Sequence, residues 1–287
     1  SNEDYLEISY ILIKNNIPQL IFPLFFSKKN KKSIIKDDCF EIPLFSKDIN
    51  DDQKRQIIKI ILDLFFNVLS DENKNTNLKI SDNDNVISNY LHKKYKICSQ
   101  DINEYYVDTT IEFSAIKKKV RKSYKQFTKS SDDEIQFDVF TSDTNKLIWS
   151  KFKNLHLTVS GRTTRSDKSW NYQFENLINN KSIFIAASYN DNLISGAYFE
   201  MSKDELYYSV SCTDQKYISY KLTHKIMFIA IKKCIELNIK CLKLGNEFVL
   251  SNNPTNEDIK NYNISFFKKG FATHIEHNKK VSLINES

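Results

Sequence analysis

Two arginines three residues apart, Arg162 and Arg165, sit in the run Gly161-Arg162-Thr163-Thr164-Arg165-Ser166, just ahead of a segment with helical spacing. Planar guanidinium groups match a phosphate or carboxylate two-pronged, and a helix N-terminus behind them adds N–H donors. The spacing therefore reads as an anion clamp. Its plain alternative is a loop ion pair to Asp167 or Glu175. Trp170 and Gln173 are also three apart and share a helix face, where the indole can stack on a base or sugar or simply belong to the core. His224 opens a long helical pattern and titrates near neutrality, as a base or as a hydrogen-bonded structural residue. Asp214, in the loop before it, is a rival base or a group for holding a second substrate.

The elements that must position these residues fall into two similar series. Tyr5 to Ile13, the turn Lys14-Asn15-Asn16 and Ile17 to Phe26 read as strand, turn, strand, because asparagine tolerates positive φ. Asp51 and Asp52 open an amphipathic helix over Gln53 to Leu69, with acidic groups at the positive end of its dipole. A strand at Leu78 to Ile80, a helix over Asp84 to Tyr95 and a strand at Glu104 to Thr110 follow. The second series has strands at Ser182 to Tyr189, Leu193 to Met201 and Glu205 to Cys212, a helix over Tyr220 to Leu237, and a short strand at Cys241 to Leu244. Between them lie a lysine-rich helix over Phe113 to Ser131, a strand at Glu134 to Phe140, and helices over Asn145 to Val159 and Asp167 to Asn179. All four glycines, Gly161, Gly196, Gly245 and Gly270, fall in the second half, which places the site there.

The bulk chemistry narrows the class. At 287 residues, 40% hydrophobic and 27% charged, the chain can bury a large core and is not a disordered one. Its net charge of +6 comes from 42 basic against 36 acidic residues, too even a balance for the basic stripe of a nucleic-acid binder. No run approaches about 20 apolar residues, so no membrane span is expected. The five cysteines lack C-x-x-C spacing, which argues for reduced structural thiols in the cytoplasm and against zinc or a disulfide frame. The chain opens on Ser-Asn rather than Met, which leaves an N-terminal truncation open.

Four segments together resemble the Fem-like branch of the GNAT acyltransferases, in particular the Fem-like N-acyltransferases of surface-polysaccharide gene sets. They are Arg121-Lys122-Ser123-Tyr124-Lys125; Leu155-His156 through Gly161-Arg162-Thr163-Thr164-Arg165-Ser166 to Trp170 and Gln173; Leu193-Ile194-Ser195-Gly196-Ala197 with Tyr207-Tyr208; and Leu244-Gly245 with Phe266-Phe267-Lys268-Lys269-Gly270-Phe271. The resemblance implies an α/β fold with mixed sheets, made of two tandem GNAT-like lobes packed side by side. The N-terminal lobe would take residues 1–112 and the catalytic lobe residues 113–287. Two family features are missing: the coiled-coil arm of some tRNA-dependent members, and a glycine-rich pyrophosphate loop.

By the same resemblance, the helix opening at His224 faces the acyl donor, and Glu247 follows the strand whose splaying forms the reaction centre. Lys268 matches a family lysine that lies at the active site, where it would neutralise the developing oxyanion or a donor phosphate; Tyr220, by its own chemistry, is a candidate proton donor to a leaving thiolate. The implied activity is N-acyl transfer, with acetyl-CoA as co-substrate and no metal, onto the amine of a nucleotide-activated or lipid-linked sugar. Two alternatives stand beside it: an aminoacyl-tRNA-dependent transferase acting on a cell-wall precursor, and a non-catalytic sugar-nucleotide binding module. Apart from that tRNA alternative, no nucleic-acid partner is expected, and the oligomeric state is left open.

Overall fold

The computed structural model describes residues 5–7, 10–15, 17–22, 25–27, 32–34, 44–46, 49–70, 77–80, 86–94, 97–128 and 134–283. Its residues group into two compact units, Ser1–Asn103 with His277–Ser287, and Glu104–Glu276.

In the first unit, β1 (Tyr5–Glu7) pairs antiparallel with β4 (Phe25–Ser27), which pairs with β5 (Lys32–Ile34). β2 (Tyr10–Lys14) and β3 (Ile17–Phe22) form the expected hairpin, with Asn15 at φ 53° in its turn, and β6 (Leu44–Phe45) adds to β3. Asn16 lies outside the described residues. α1 (Asp51–Ser70) begins where the acidic pair predicts, and Asn50 and Gln53 exchange hydrogen bonds at its start. Tyr90 and Lys94 of α2 (Val86–Lys94) both reach Asp63 of α1, at 2.6 and 2.5 Å. β7 (Asn77–Ile80) pairs with the end of β14 (His274–Leu283).

The second unit is a sheet covered on both faces. Its strands run in the order β8 (Ile97–Asp108, from Glu104 onward), β13 (Cys241–Asn246), β12 (Glu205–Thr213), β11 (Asn192–Met201), β10 (Ser182–Tyr189) and β9 (Ile135–Phe140). β10 carries the unbroken apolar run Ile183-Phe184-Ile185-Ala186-Ala187 because both of its faces are buried. Ile183 and Ile185 join the core under α6 (Leu222–Glu236). Phe184 and Ala186 join the core under α4 (Lys146–Ser160) and α5 (Asp167–Ile178), built around Trp149, Phe152 and Trp170. A bulge at Ser209 in β12 shifts its buried positions, so that Leu206 and Tyr208 serve the first core and Val210 and Cys212 the second.

Two helices depart from the sequence reading. The span from Phe113 is not one helix: α3 (Phe113–Lys119) stops at Val120, which is extended at ψ 144° and 2% exposed. A short 3-10 helix, Lys122–Thr128, then carries Tyr124 into the core. Burying Val120 and Tyr124 together outweighs the helical spacing of the lysines. α6 starts at Leu222 rather than Tyr220, because Lys221 adopts φ 54° and the preceding Gln215–Tyr220 forms its own 3-10 turn. α7 (Asn256–Lys269) follows the short strand β13; Thr255 and Asp258 form its capping box, with aspartate in place of the usual glutamate. Among the described residues, no helix is long and apolar enough to cross a membrane.

Candidate active site

The sheet opens between β12 and β13. These parallel strands are paired only over Glu205–Tyr207 and Cys241–Lys243. Beyond that point β12 stays with β11 as far as Thr213, while β13 follows β8, with Gly245 opposite Tyr105. A register shift between Lys243 and Gly245 marks the parting, and Gly245 takes φ 97°, in the region that glycine alone adopts without strain. A Cβ at Gly245 would lie 3.1 Å from Lys268 Nζ and 3.9 Å from Tyr207 Oη. The glycine thus lets an ammonium and a phenol converge on backbone where two strands separate.

Lys268 reaches this place from the last turn of α7, 5.8 Å from the ring centre of Tyr208. Burial holds its pKa below the usual lysine value, and no carboxylate pairs with it among the described residues. Tyr208 is buried, its hydroxyl is bonded to that of Ser211, and burial pushes its pKa up to about 12. Tyr207, on the other face, is 39% exposed; burial of its remainder, then Glu200, raises its pKa. Ser265 Oγ accepts from Phe248 N at 2.9 Å and so ties α7 to the chain leaving β13.

The two arginines part company. Gly161 caps α4 at φ 66° and Ser166 caps α5, so the run between them is a tight inter-helix loop. Arg162 points outward to Glu257 at 3.0 Å, and both side chains are about two-thirds exposed. Arg165 turns inward. Burial lowers its pKa, opposed by the charges of Glu200 on β11 and Tyr207 on β12, which are direct cross-strand partners. His156 beside it is held below its usual pKa by burial first, then by Arg165 and Lys260. One arginine of the expected clamp therefore faces the sheet near Tyr207, and the other serves a surface ion pair with α7.

His224 occupies a different setting. Its ring packs edge-on to Tyr124 at 4.4 Å and Phe267 at 4.9 Å, with Phe127 at 5.0 Å and Phe271 at 5.9 Å. Nδ1 is buried without a hydrogen-bond partner, and desolvation, then Lys221 and Arg121, pull the pKa down to about 4. The same knot joins two of the four family-like segments. Arg121 donates to Tyr124 Oη at 2.7 Å and to the Phe266 carbonyl at 3.1 Å, and its guanidinium lies 3.7 Å from the centre of the Phe266 ring. Gly270 accepts from Arg121 N at 2.8 Å, and a Cβ on it would come within 2.3 Å of the Tyr124 ring.

The remaining candidates are held by local structure. Glu247 Oε1 accepts from Tyr105 Oη at 2.7 Å and from Lys269 at 3.2 Å. Asp214 caps the 3-10 turn by accepting from Lys216 N. Tyr220 is 43% exposed and packs on Tyr217. Trp170 is 4% exposed among Trp149, Phe152 and His156, and its carbonyl accepts from Trp149 Nε1. Gln173 is buried with Oε1 unpartnered. Cys212 is buried, and burial raises its pKa to about 12. Glu200 had no part in the sequence reading, and Tyr207 had none beyond a family likeness. The signal for Tyr207 was the alternation at the start of β12, where Glu205 and Tyr207 are exposed beside buried Leu206 and Tyr208.

Taken together, a mixed α/β sheet, a parted pair of parallel strands and a crossover helix between them define a fold of the GNAT type. No protein-family model and no curated protein matches the chain. Solved structures do. FemX superposes over 98% of this chain and 89% of its own with a TM-score of 0.67 and 10% identity. A Bacillus licheniformis L-PGS covers 97% and 85% with TM-score 0.60 and 10% identity. A tandem GNAT protein from the clavulanic acid pathway covers 99% and 85% with TM-score 0.55 and 6% identity. The chain thus has the Fem-like, tandem GNAT fold.

Proposed function

We propose that the chain is an N-acyltransferase that moves an acetyl group from acetyl-CoA onto the amine of a nucleotide-activated or lipid-linked sugar. The observation that carries this reading is the parting of β12 and β13, with the Lys268 ammonium lodged at Gly245 and unmatched by a carboxylate among the described residues. A positive group held dry at such an opening is preorganised for an oxyanion. The amine nitrogen would attack the thioester carbonyl, with Lys268 opposing the charge that develops on its oxygen. The C–S bond then breaks, the thiolate leaves, and the amine proton passes to Glu247, two residues beyond Gly245. His224, enclosed by rings, is assigned to the architecture of α6 and α7. Arg165, with Tyr207 and Glu200 near it, would hold the acceptor's anionic part, and Trp170 and Gln173 would support that loop from the core.

A second reading takes an aminoacyl group as donor. It is favoured by the likeness to FemX and to the C-terminal domain of a putative lysylphosphatidylglycerol synthetase from Agrobacterium fabrum, at TM-score 0.61 and 11% identity. The tandem GNAT neighbour points the other way, being described by its state without AcCoA. Thermal unfolding with acetyl-CoA, with free coenzyme A and with aminoacyl-tRNA separates the two. Stabilisation by acetyl-CoA, with transfer of labelled acetyl to amino-sugar nucleotides, is expected. No response to either coenzyme, with labelled product formed only from aminoacyl-tRNA, would overturn the acetyl reading.

A further inference from the structure

The second unit also holds a cavity that the proposed chemistry does not use. It measures about 150 Å³, and its walls are Phe127, Thr128, Phe137, Phe228 and Ile229, with Lys225 among them and Lys232 beside them. Lys225 is 7% exposed, and its Nζ is buried without a hydrogen-bond partner, 5.6 Å from the centre of the Phe137 ring. Lys232 is exposed, with its ammonium 5.2 Å from the Phe113 ring centre. Among the described residues, none that lines the cavity is acidic.

A desolvated ammonium with no partner is costly, and buried charges are ordinarily paired. Leucine or methionine would fill this position on an apolar helix face without that cost, since its neighbours Leu222, Ile226 and Phe228 are all buried. The missing partner is an anion that enters the cavity. Lys225 is the one buried ammonium among the described residues that line the cavity, and a single such group suits a monoanionic carboxylate better than a phosphate, which calls for several donors. Aromatic walls and a volume close to that of a benzene-holding cavity set the rest of the ligand as one compact apolar or aromatic body. Phe137 lies on β9, with β10, β11 and β12 between it and β13, so roughly 20 Å of sheet separates that strand from the parting.

We propose that this cavity is a binding site for a small aromatic carboxylate, with the Lys225 ammonium pairing its carboxyl group, separate from the acyl-transfer cleft. The test is ligand-observed fluorine NMR on the full chain with 4-fluorobenzoate, and with 4-fluorobenzyl alcohol as its uncharged counterpart. Wild type should bind the carboxylate with a Kd of about 1 mM or tighter and the alcohol about tenfold more weakly. Lys225→Met should weaken the carboxylate about tenfold, leave the alcohol unchanged, and melt no lower than wild type. Ile229→Trp, which fills the cavity while keeping the ammonium, should abolish both. Equal affinity for 4-fluorobenzoate in wild type and Lys225→Met, or undiminished binding in Ile229→Trp, would overturn the proposal. So would no binding to wild type at about 10 mM.

Discussion

The parting at Gly245 and the knot around His224 both draw side chains from the run Phe266 to Phe271, yet they treat their ionisable groups in opposite ways. Lys268 is desolvated, which lowers its pKa, but its Nζ lies at Gly245 where the strands part and has no acidic partner among the described residues. His224 is desolvated by four rings and pushed towards the neutral form, with its Nδ1 sealed from any partner. A group can act on a substrate only where the enclosure leaves one side open. On the proposed reading the knot builds the frame and the parting carries the chemistry, although sequence places Phe267, Lys268 and Phe271 within one motif.

This contrast can be broken by substitution. Lys268→Met should lower kcat/KM for acetyl transfer by about 10²- to 10³-fold with the fold retained, as loss of an oxyanion donor does. In wild type, kcat/KM should fall as pH rises through a value below that of ordinary lysine, because the folded chain releases this proton more readily. Arg165→Ala should cost about tenfold, mostly in KM for the acceptor, whereas Arg162→Ala should change either constant less than about twofold, given its exposed pair with Glu257. Thermal melting should single out Gly270→Ala in the knot, with a loss of about 1–3 kcal/mol from the clash with Tyr124.

The smallest effect sharpens the comparison. The His224 pKa is depressed in the folded state, so between about pH 6.5 and about pH 4 the unfolded chain binds more protons. Stability therefore falls as pH drops through that window. His224→Phe should flatten this part of the acid dependence in thermal melts and leave transfer within about threefold of wild type.

Much of the frame was legible in the sequence because it rests on local chemistry. The Asn15 and Asn190-Asp191 turns have the positive φ that their residue types allow, and the acidic pair at Asp51 and Asp52 marks the start of α1. β10 to β12 follow the apolar pattern to within two residues. What was hidden depends on distant partners. The break at Val120 comes from the contact of Arg121 and Tyr124 with Gly270, about 150 residues away. The separation of Arg162 from Arg165 is decided by Glu257 and by Glu200, neither of which their spacing reveals. Lys225 was concealed as one more lysine in a lysine-rich chain, although its place three residues after Leu222 on the buried face was the available signal.

The central claim, that the parted strands and not the histidine knot carry the reaction, is tested most directly by one assay. Labelled acetyl-CoA is offered with a panel of amino-sugar nucleotides to wild type, Lys268→Met and His224→Phe, each verified as folded by its melting curve. The account predicts a loss of at least about 100-fold in Lys268→Met beside near-wild-type transfer in His224→Phe. Near-wild-type transfer in Lys268→Met with collapse in His224→Phe would contradict it.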